Sequence, residues 1–179
     1  MELPPELLLN NKISHMKFAS KTTLLLLVLV AAHASCTEKP EIEYTSTYKM
    51  SGEWFTRYFD GATPVTGFQK IVSFNTSDPS GNQIWVDDHA NATTKFRFKS
   101  KLNVDYPALA FVPMAAAVNE LTAGRTVKVY EGKVIPGGGH SKTGVAVDSI
   151  FLRLEFSNDP GKVYEIRGHH RTGFFEDEY

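Results

Sequence analysis

Acidic and histidine side chains stand next to one another at two places in this 179-residue chain. His169 and His170 are adjacent, and Asp87, Asp88 and His89 follow a short apolar run. Carboxylates and imidazoles in such groups can hold a metal ion or transfer protons during hydrolysis. On a β-strand, however, successive side chains point to opposite faces, so neighbours in sequence do not share a site. We therefore predict a structural role for both groups, with no catalytic residue, no metal site and no cofactor.

A glycine-rich segment, residues 136–144 (PGGGHSKTG), ends in Lys-Thr like a phosphate-binding loop. In that loop a glycine directly precedes the lysine, and a helix follows. Here Ser141 precedes Lys142, and the next residues alternate as in a strand. The segment is therefore predicted to be the tip of a hairpin rather than a nucleotide site.

Cys36 is the only cysteine, and it follows a segment typical of an export signal. Basic residues precede the apolar run 24–32, which is shorter than the roughly 20 residues of a membrane-spanning helix. Two small residues then lead to Cys36, as in bacterial lipoproteins, whose new N-terminal cysteine carries lipid. His33 stands where such signals usually have leucine. Plain secretion and a buried core cysteine are the alternatives.

These features divide the chain into three predicted parts. Residues 1–35 form a signal peptide, with Met16 as an alternative true start. Residues 36–44 form a polar tether that carries the lipid, and residues 45–179 form one folded domain. The predicted location is the bacterial cell envelope, lipid-anchored in the outer membrane, with neither membrane face assigned.

Composition restricts the class of protein further. The formal net charge is −1, and 42% of the residues are hydrophobic against 22% charged, as in globular rather than disordered proteins. A nucleic-acid-binding protein usually carries a basic stripe, so this near balance argues against that class. Lys95, Arg97, Lys99 and Lys101 do form a basic row that could meet lipid headgroups or an anionic polymer. A solvated strand face is the simpler interpretation.

Alternating apolar and polar residues predict that the folded domain is all-β. The alternation is clearest over residues 95–104 and 149–156, and it is also visible from Tyr48 to Tyr58. Residues 114–121 (MAAAVNEL), which lie between a proline and a glycine, are expected to form a short helix or a helical turn. Seven or eight antiparallel strands predict a small barrel or sandwich.

One face of these strands is apolar and rich in aromatic residues, so we expect it to face the interior. That interior is either a filled core or an apolar cavity, because an eight-stranded barrel lies at the boundary between the two. In the second case the predicted ligand-binding residues are Trp54, Tyr58, Phe96, Phe98, Leu102, Val127, Val129, Ile150, Leu152, Leu154, Tyr164 and Ile166.

Three segments together resemble a known family: residues 45–59 (TSTYKMSGEWFTRYF), 84–88 (IWVDD) and 158–179 (NDPGKVYEIRGHHRTGFFEDEY). They are similar to the Bacteroidetes family of lipid-binding putative hydrolases, lipocalin-like exported lipoproteins. The resemblance covers residues 44–179. It implies a lipocalin-like antiparallel barrel of about eight strands with an apolar interior, and it supplies no catalytic motif. Fold resemblance alone is a weak guide to function.

Three functional hypotheses follow. The first, which we favour, is a non-catalytic, lipid-anchored binding module for an apolar or amphipathic, lipid-like ligand. The second is a hydrolase with a polar site at the barrel mouth that uses Asp87, Asp88, His89 or His170. The third is a structural or assembly lipoprotein with an envelope protein as partner. The expected partners are a lipid-like small molecule and the membrane, reached through acylated Cys36, and not nucleic acid.

Overall fold

The computed structural model describes residues 40–88 and 95–179. Tyr44–Tyr179 form one compact unit, and the residues before Tyr44 belong to a second unit. Of the second unit, residues 40–43 are described, and they form neither helix nor strand. The predicted signal peptide and Cys36 therefore lie outside the described residues, as does His89.

Tyr44–Tyr179 is an all-β unit, and ten strands are formed by its described residues. Short 3-10 helices cover Tyr48–Met50 and Phe175–Asp177. The strands are β1 (Gly52–Asp60), β2 (Thr63–Pro64), β3 (Gln69–Asn75), β4 (Gln83–Asp87), β5 (Lys99–Asp105), β6 (Ala110–Phe111), β7 (Met114–Val118), β8 (Thr126–His140), β9 (Ala146–Phe156) and β10 (Val163–His170).

Eight of these strands close into an antiparallel barrel. Their order is β1-β3-β4-β5-β6-β8-β9-β10, and β10 pairs again with β1. The short strands β2 and β7 pair with β1 and β8 outside this circuit. Closure leaves the circuit without a free sheet edge. The predicted small all-β barrel of about eight strands is confirmed.

The β1–β10 pairing that closes the barrel brings two backbones unusually near each other. Its register places Trp54 opposite His170 and Thr56 opposite Gly168. A Cβ atom at position 168 would lie 2.2 Å from the carbonyl oxygen of Phe55. Glycine is therefore required there for the strands to approach closely.

The predicted alternation along β9 is confirmed by burial. Leu152 and Leu154 are fully buried inside the barrel, whereas Arg153 lies outside and forms an ion pair with Glu131 at 2.6 Å. Ile150 and Phe156, which continue the inward row, are each 2% exposed. This strand therefore has one face in the core and one face in water.

The two ends of the barrel are capped in different ways. Where β1 begins, the 3-10 helix Tyr48–Met50 lies across the end, and Met50 is fully buried in the core. We call this the helix end. Where β1 finishes, a group of aromatic side chains occupies the interior, and we call this the aromatic end; the group consists of Tyr58, Phe96, Phe156 and Tyr164.

Two predicted strand starts are wrong by four residues. The first strand begins at Gly52 rather than Tyr48, because a 3-10 turn intervenes in which the Met50 amide donates to the Thr47 carbonyl oxygen at 2.9 Å. The strand predicted from residue 95 begins at Lys99. Phe96, predicted to lie within that strand, is buried without belonging to any strand.

The predicted helix over residues 114–121 is wrong. Met114–Val118 forms β7, which pairs with β8 through Met114 and Val129 and through Ala117 and Val127, with a bulge between these pairs. The helix propensity of alanine is a weak preference. Pairing with β8 supplies hydrogen-bond partners for the backbone of this segment. The same pairing leaves Ala117 buried.

Candidate functional site

All twelve side chains predicted to line the interior lie in the buried core. Their exposed fractions are 5% or less, so the described interior is filled by side chains rather than by solvent. Trp54 lies toward the helix end, where its ring meets that of His170 edge-on at 5.0 Å. A ligand in this interior must therefore displace side chains, and the role of the twelve residues as ligand contacts stays a prediction.

The aromatic end is held together by ring contacts. Phe96 stacks on Tyr58 with ring centroids 4.6 Å apart, and it meets Tyr164 edge-on at 4.9 Å. Phe98 and Phe156 make a further edge contact at 5.7 Å. Stacked and edge-to-face rings are favourable geometries. Phe96 is central to this group, although its backbone is not fixed in a strand.

A buried polar pair lies within this aromatic end. The Tyr58 hydroxyl donates to Asp88 Oδ2 at 2.5 Å, and both residues are fully buried. Gln69 Nε2 lies 3.4 Å from the same carboxylate oxygen. Burial, and then the nearby Asp88 carboxylate, raises the pKa of Tyr58 well above its usual value. Tyr58 therefore remains a neutral donor to Asp88 at any physiological pH.

Two buried serines, Ser73 on β3 and Ser100 on β5, differ in their hydrogen bonding. Ser73 Oγ accepts from Trp54 Nε1 at 2.8 Å and donates to the Met50 carbonyl oxygen at 2.6 Å. Ser100 is equally buried, but its hydroxyl has no hydrogen-bond partner among the described residues. Strand alternation places Ser100 inward from sequence alone, yet nothing in the sequence shows whether its hydroxyl is satisfied.

The two adjacent histidines are separated as predicted. His170 contacts Trp54, whereas His169 lies on the outside under the C-terminal residues, 5.8 Å from the ring of Tyr179. Burial lowers the pKa of His169, against a smaller opposing effect of Asp177. The two imidazoles therefore cannot share a metal ion or a substrate.

The acidic pair is separated in the same way. Asp88 faces inward, whereas Asp87 faces outward and lies 3.5 Å from Lys99 Nζ. Lys95, from the same basic row, forms an ion pair with Asp159 at 2.7 Å, and Lys101 lies over the Trp85 ring. Several members of the predicted basic row thus have partners on the barrel itself.

A cavity of about 400 Å³ opens at the helix end. Its lining is mixed in polarity and includes Tyr48, Lys49, Ser51, Leu109, Pro136, Asp148 and His170. Ser51, Asp148 and His170 could in principle make a hydrolytic triad. Within the described part of the chain, however, no hydrogen bond joins any two of them: Ser51 Oγ donates to the Thr47 carbonyl oxygen, and Asp148 accepts from the Gly137 amide.

Two features are absent from residues 40–88 and 95–179: a cluster of metal-ligating side chains and a helix able to cross a membrane. No group of three or more His, Cys, Asp or Glu side chains there could hold a metal ion. Among the same residues, no helix has both the length and the apolar character needed to cross a membrane.

Comparison with protein families identifies the barrel. The sequence model for lipid-binding putative hydrolases matches residues 39–175, which include the whole barrel. The chain belongs to this family. A search of curated proteins found no match. Membership confirms the family resemblance of the three segments, and together with the barrel it supports a lipid-binding module.

Proposed function

We propose that this member of the lipid-binding putative hydrolases is an exported, lipid-anchored barrel that holds an apolar or amphipathic ligand in its interior and catalyses no reaction. One observation carries the proposal: in a chain of a lipid-binding family, the closed barrel presents an interior wall of apolar and aromatic side chains. Eight-stranded barrels have room for one small ligand when their central side chains give way.

The aromatic end is the proposed entrance. Phe96 belongs to no strand, and its ring covers Tyr58 and Tyr164. Rotation of this side chain out of the barrel removes one aromatic ring from the interior without breaking a strand pairing. The vacated space adjoins Phe156, which in turn contacts Phe98, so an acyl chain entering there meets an apolar wall.

A hydrolytic function receives less support. His170 contacts Trp54, and its imidazole makes no hydrogen bond to a carboxylate or hydroxyl among the described residues. A general base has to be oriented toward a nucleophile or a water molecule. Asp88 is fully buried and accepts a hydrogen bond from Tyr58. This arrangement favours a structural role for Asp88 over a role in proton transfer.

The proposed location follows from Cys36 and the tether. The barrel unit begins at Tyr44, so seven residues would separate its start from an acylated Cys36. We propose that acylation there holds the barrel on the outer membrane of a bacterial envelope. Several acyl chains on one cysteine anchor far more firmly than a single chain.

Binding can be tested with a fluorescent fatty-acyl probe whose emission depends on the polarity around it. We expect saturable binding to the wild-type protein and a change in tryptophan emission. Phe98→Glu places a carboxylate in the apolar interior and should abolish binding. Phe175→Glu is the matched control, because Phe175 is 91% exposed. Phe98→Leu keeps the interior apolar and should retain binding. This variant keeps the test informative if Phe98→Glu does not fold.

The same preparation tests catalysis. Short- and long-chain nitrophenyl esters should show no turnover above that of buffer. Turnover that disappears in His170→Ala or Asp88→Ala would replace this proposal with the hydrolase. A stably folded protein with neither binding nor turnover would favour a structural lipoprotein.

The anchor is tested separately in bacterial cells supplied with a labelled fatty acid. Wild-type protein should carry the label and sediment with membranes, whereas Cys36→Ala should be unlabelled and soluble. Equal membrane retention of both proteins would contradict the lipoprotein assignment.

A further inference from the structure

Ser100 contributes a buried hydroxyl group to the inner wall of the barrel. Ser100 lies on the inward face of β5 between Phe98 and Leu102, all three fully buried. Its Oγ atom has no hydrogen-bond partner among the described residues. A buried hydroxyl without a hydrogen-bond partner lowers the stability of the folded state. Its presence in a native barrel therefore needs a physical explanation.

The neighbouring serine shows that this wall can satisfy a hydroxyl. Ser73 and Ser100 flank Val86 in one cross-strand row, since Val86 pairs with Ser73 on one side and with Ser100 on the other. Ser73 bonds both Trp54 and Met50. The two serines are therefore equally buried and lie in the same cross-strand row, but they differ in hydrogen bonding. The Ser73 hydroxyl is used by the fold, whereas the Ser100 hydroxyl is available to a molecule in the interior.

A carboxylate lies close to this available hydroxyl. The Asp88 amide donates to the Phe98 carbonyl oxygen at 2.8 Å, which places Asp88 beside Phe98, two residues from Ser100 on the same face. Ser100 pairs with Val86, so Asp88 and Ser100 are diagonal neighbours across two adjacent segments, a relationship that spans about 7–8 Å. At that distance in an apolar interior, a second negative charge would be strongly repelled by Asp88.

The opposite wall of the barrel has a different character. Strands β8, β9 and β10 present apolar side chains inward, and these include Val127, Val129, Val134, Ile150, Leu152, Leu154 and Ile166. Among the residues that the structure describes, the interior thus offers one unsatisfied hydroxyl, that of Ser100, and a nearby carboxylate on one wall, facing apolar side chains on the other.

We propose that Ser100 is the polar contact of the ligand site and that the barrel selects neutral, hydroxyl-bearing amphiphiles, such as long-chain alcohols or monoacylglycerols, over fatty-acid anions. The Ser100 hydroxyl can donate to or accept from an alcohol. The Asp88 carboxylate disfavours an ionised head group at the same depth. This inference rests on the proposed binding function and specifies its ligand class.

The experiment compares three ligands with the same twelve-carbon chain: monolauroylglycerol, dodecanol and laurate. Each displaces the fluorescent probe from purified protein freed of lipid, at pH 8, where laurate is ionised. We expect the two neutral ligands to bind at least about 10-fold more tightly than laurate, a difference of about 1.4 kcal/mol.

Three variants separate ligand recognition from stability. Ser100→Ala should weaken monolauroylglycerol about 3- to 10-fold, as expected for one hydrogen bond, while its melting temperature stays equal or rises. Ser73→Ala is the matched control and should lower the melting temperature, because Trp54 and Met50 lose a partner. Asp88→Asn should bring laurate closer to the neutral ligands. Ser100→Cys, which keeps the side-chain volume, should fall between wild type and Ser100→Ala.

The outcomes distinguish this inference from the function on which it rests. If no probe and no ligand binds the wild-type protein, the binding function itself fails. If the probe binds but laurate competes as well as the neutral ligands, the inference is wrong and the binding function stands. Unchanged monolauroylglycerol affinity in both Ser100 variants, or a clear loss of stability in Ser100→Ala, would also overturn it.

Discussion

Tyr58 and Asp88 form a 2.5 Å hydrogen bond inside the barrel, with both side chains shielded from solvent. A carboxylate placed in an apolar interior needs such a donor, since its lost hydration is otherwise uncompensated. The pair joins β1 to the residue that directly follows β4. It therefore ties together two walls that share no backbone hydrogen bonds.

Removing the donor should be costly. Tyr58→Phe should lower the free energy of unfolding by about 1.5–3 kcal/mol, as for hydrogen bonds to charged groups. Urea denaturation measures the loss. Tyr164→Phe is the matched control: Tyr164 also donates to a carboxylate, that of Asp159, but that side chain is partly exposed and pairs with Lys95. Equal losses would mean that the burial of Asp88 does not set the cost.

The alternation along β9 makes a second prediction. Leu152→Ala should reduce the free energy of unfolding by about 2–5 kcal/mol, because it leaves a hole in a filled core. Arg153→Ala removes an exposed ion pair and should cost about 1 kcal/mol or less. Thermal and urea unfolding would check both values. Similar losses at the two positions would contradict the inward and outward assignment.

These two positions show what the sequence can predict. Period-two alternation identifies Leu152 as inward and Arg153 as outward, because the strand itself imposes that geometry. The helix predicted from Met114 is wrong because the pairing of this segment with β8 depends on residues that are distant in sequence. Likewise, the alternation over residues 95–104 indicates that Ser100 points inward, but its lack of a hydrogen-bond partner among the described residues depends on every strand around it.

Asp177 should make stability depend on pH. Burial alone would raise its pKa, but hydrogen bonds from Thr172 and Thr143 outweigh burial and lower the pKa to about 2. The unfolded-state pKa is about 3.9, so the stabilisation is complete above that value and is lost as the pH falls toward 2. The difference in melting temperature between wild type and Asp177→Asn should shrink over this interval. A constant difference from pH 6 to pH 2 would contradict the assignment.

The proposed entrance makes a further prediction. Phe96→Ala removes the ring that covers Tyr58 and Tyr164, and it should increase the affinity for the fatty-acyl probe several-fold, because an apolar cavity replaces a side chain that the ligand must otherwise displace. Probe titration measures the change. Phe74→Ala is the control, since Phe74 lies outside the barrel against Trp85. Weaker binding by Phe96→Ala would show that Phe96 is a ligand contact rather than a cover.

Pairing the first strand with the last also sets the timing of folding. Glu53 and Arg171, 118 residues apart in sequence, meet at this junction, so β1 has no β10 to pair with until the long segment between them has been made. Contacts between such distant residues slow folding, because a long loop must close before they form. If the chain is exported as proposed, it would consequently stay loose enough to thread a channel until Val163–His170 emerges and closes the barrel.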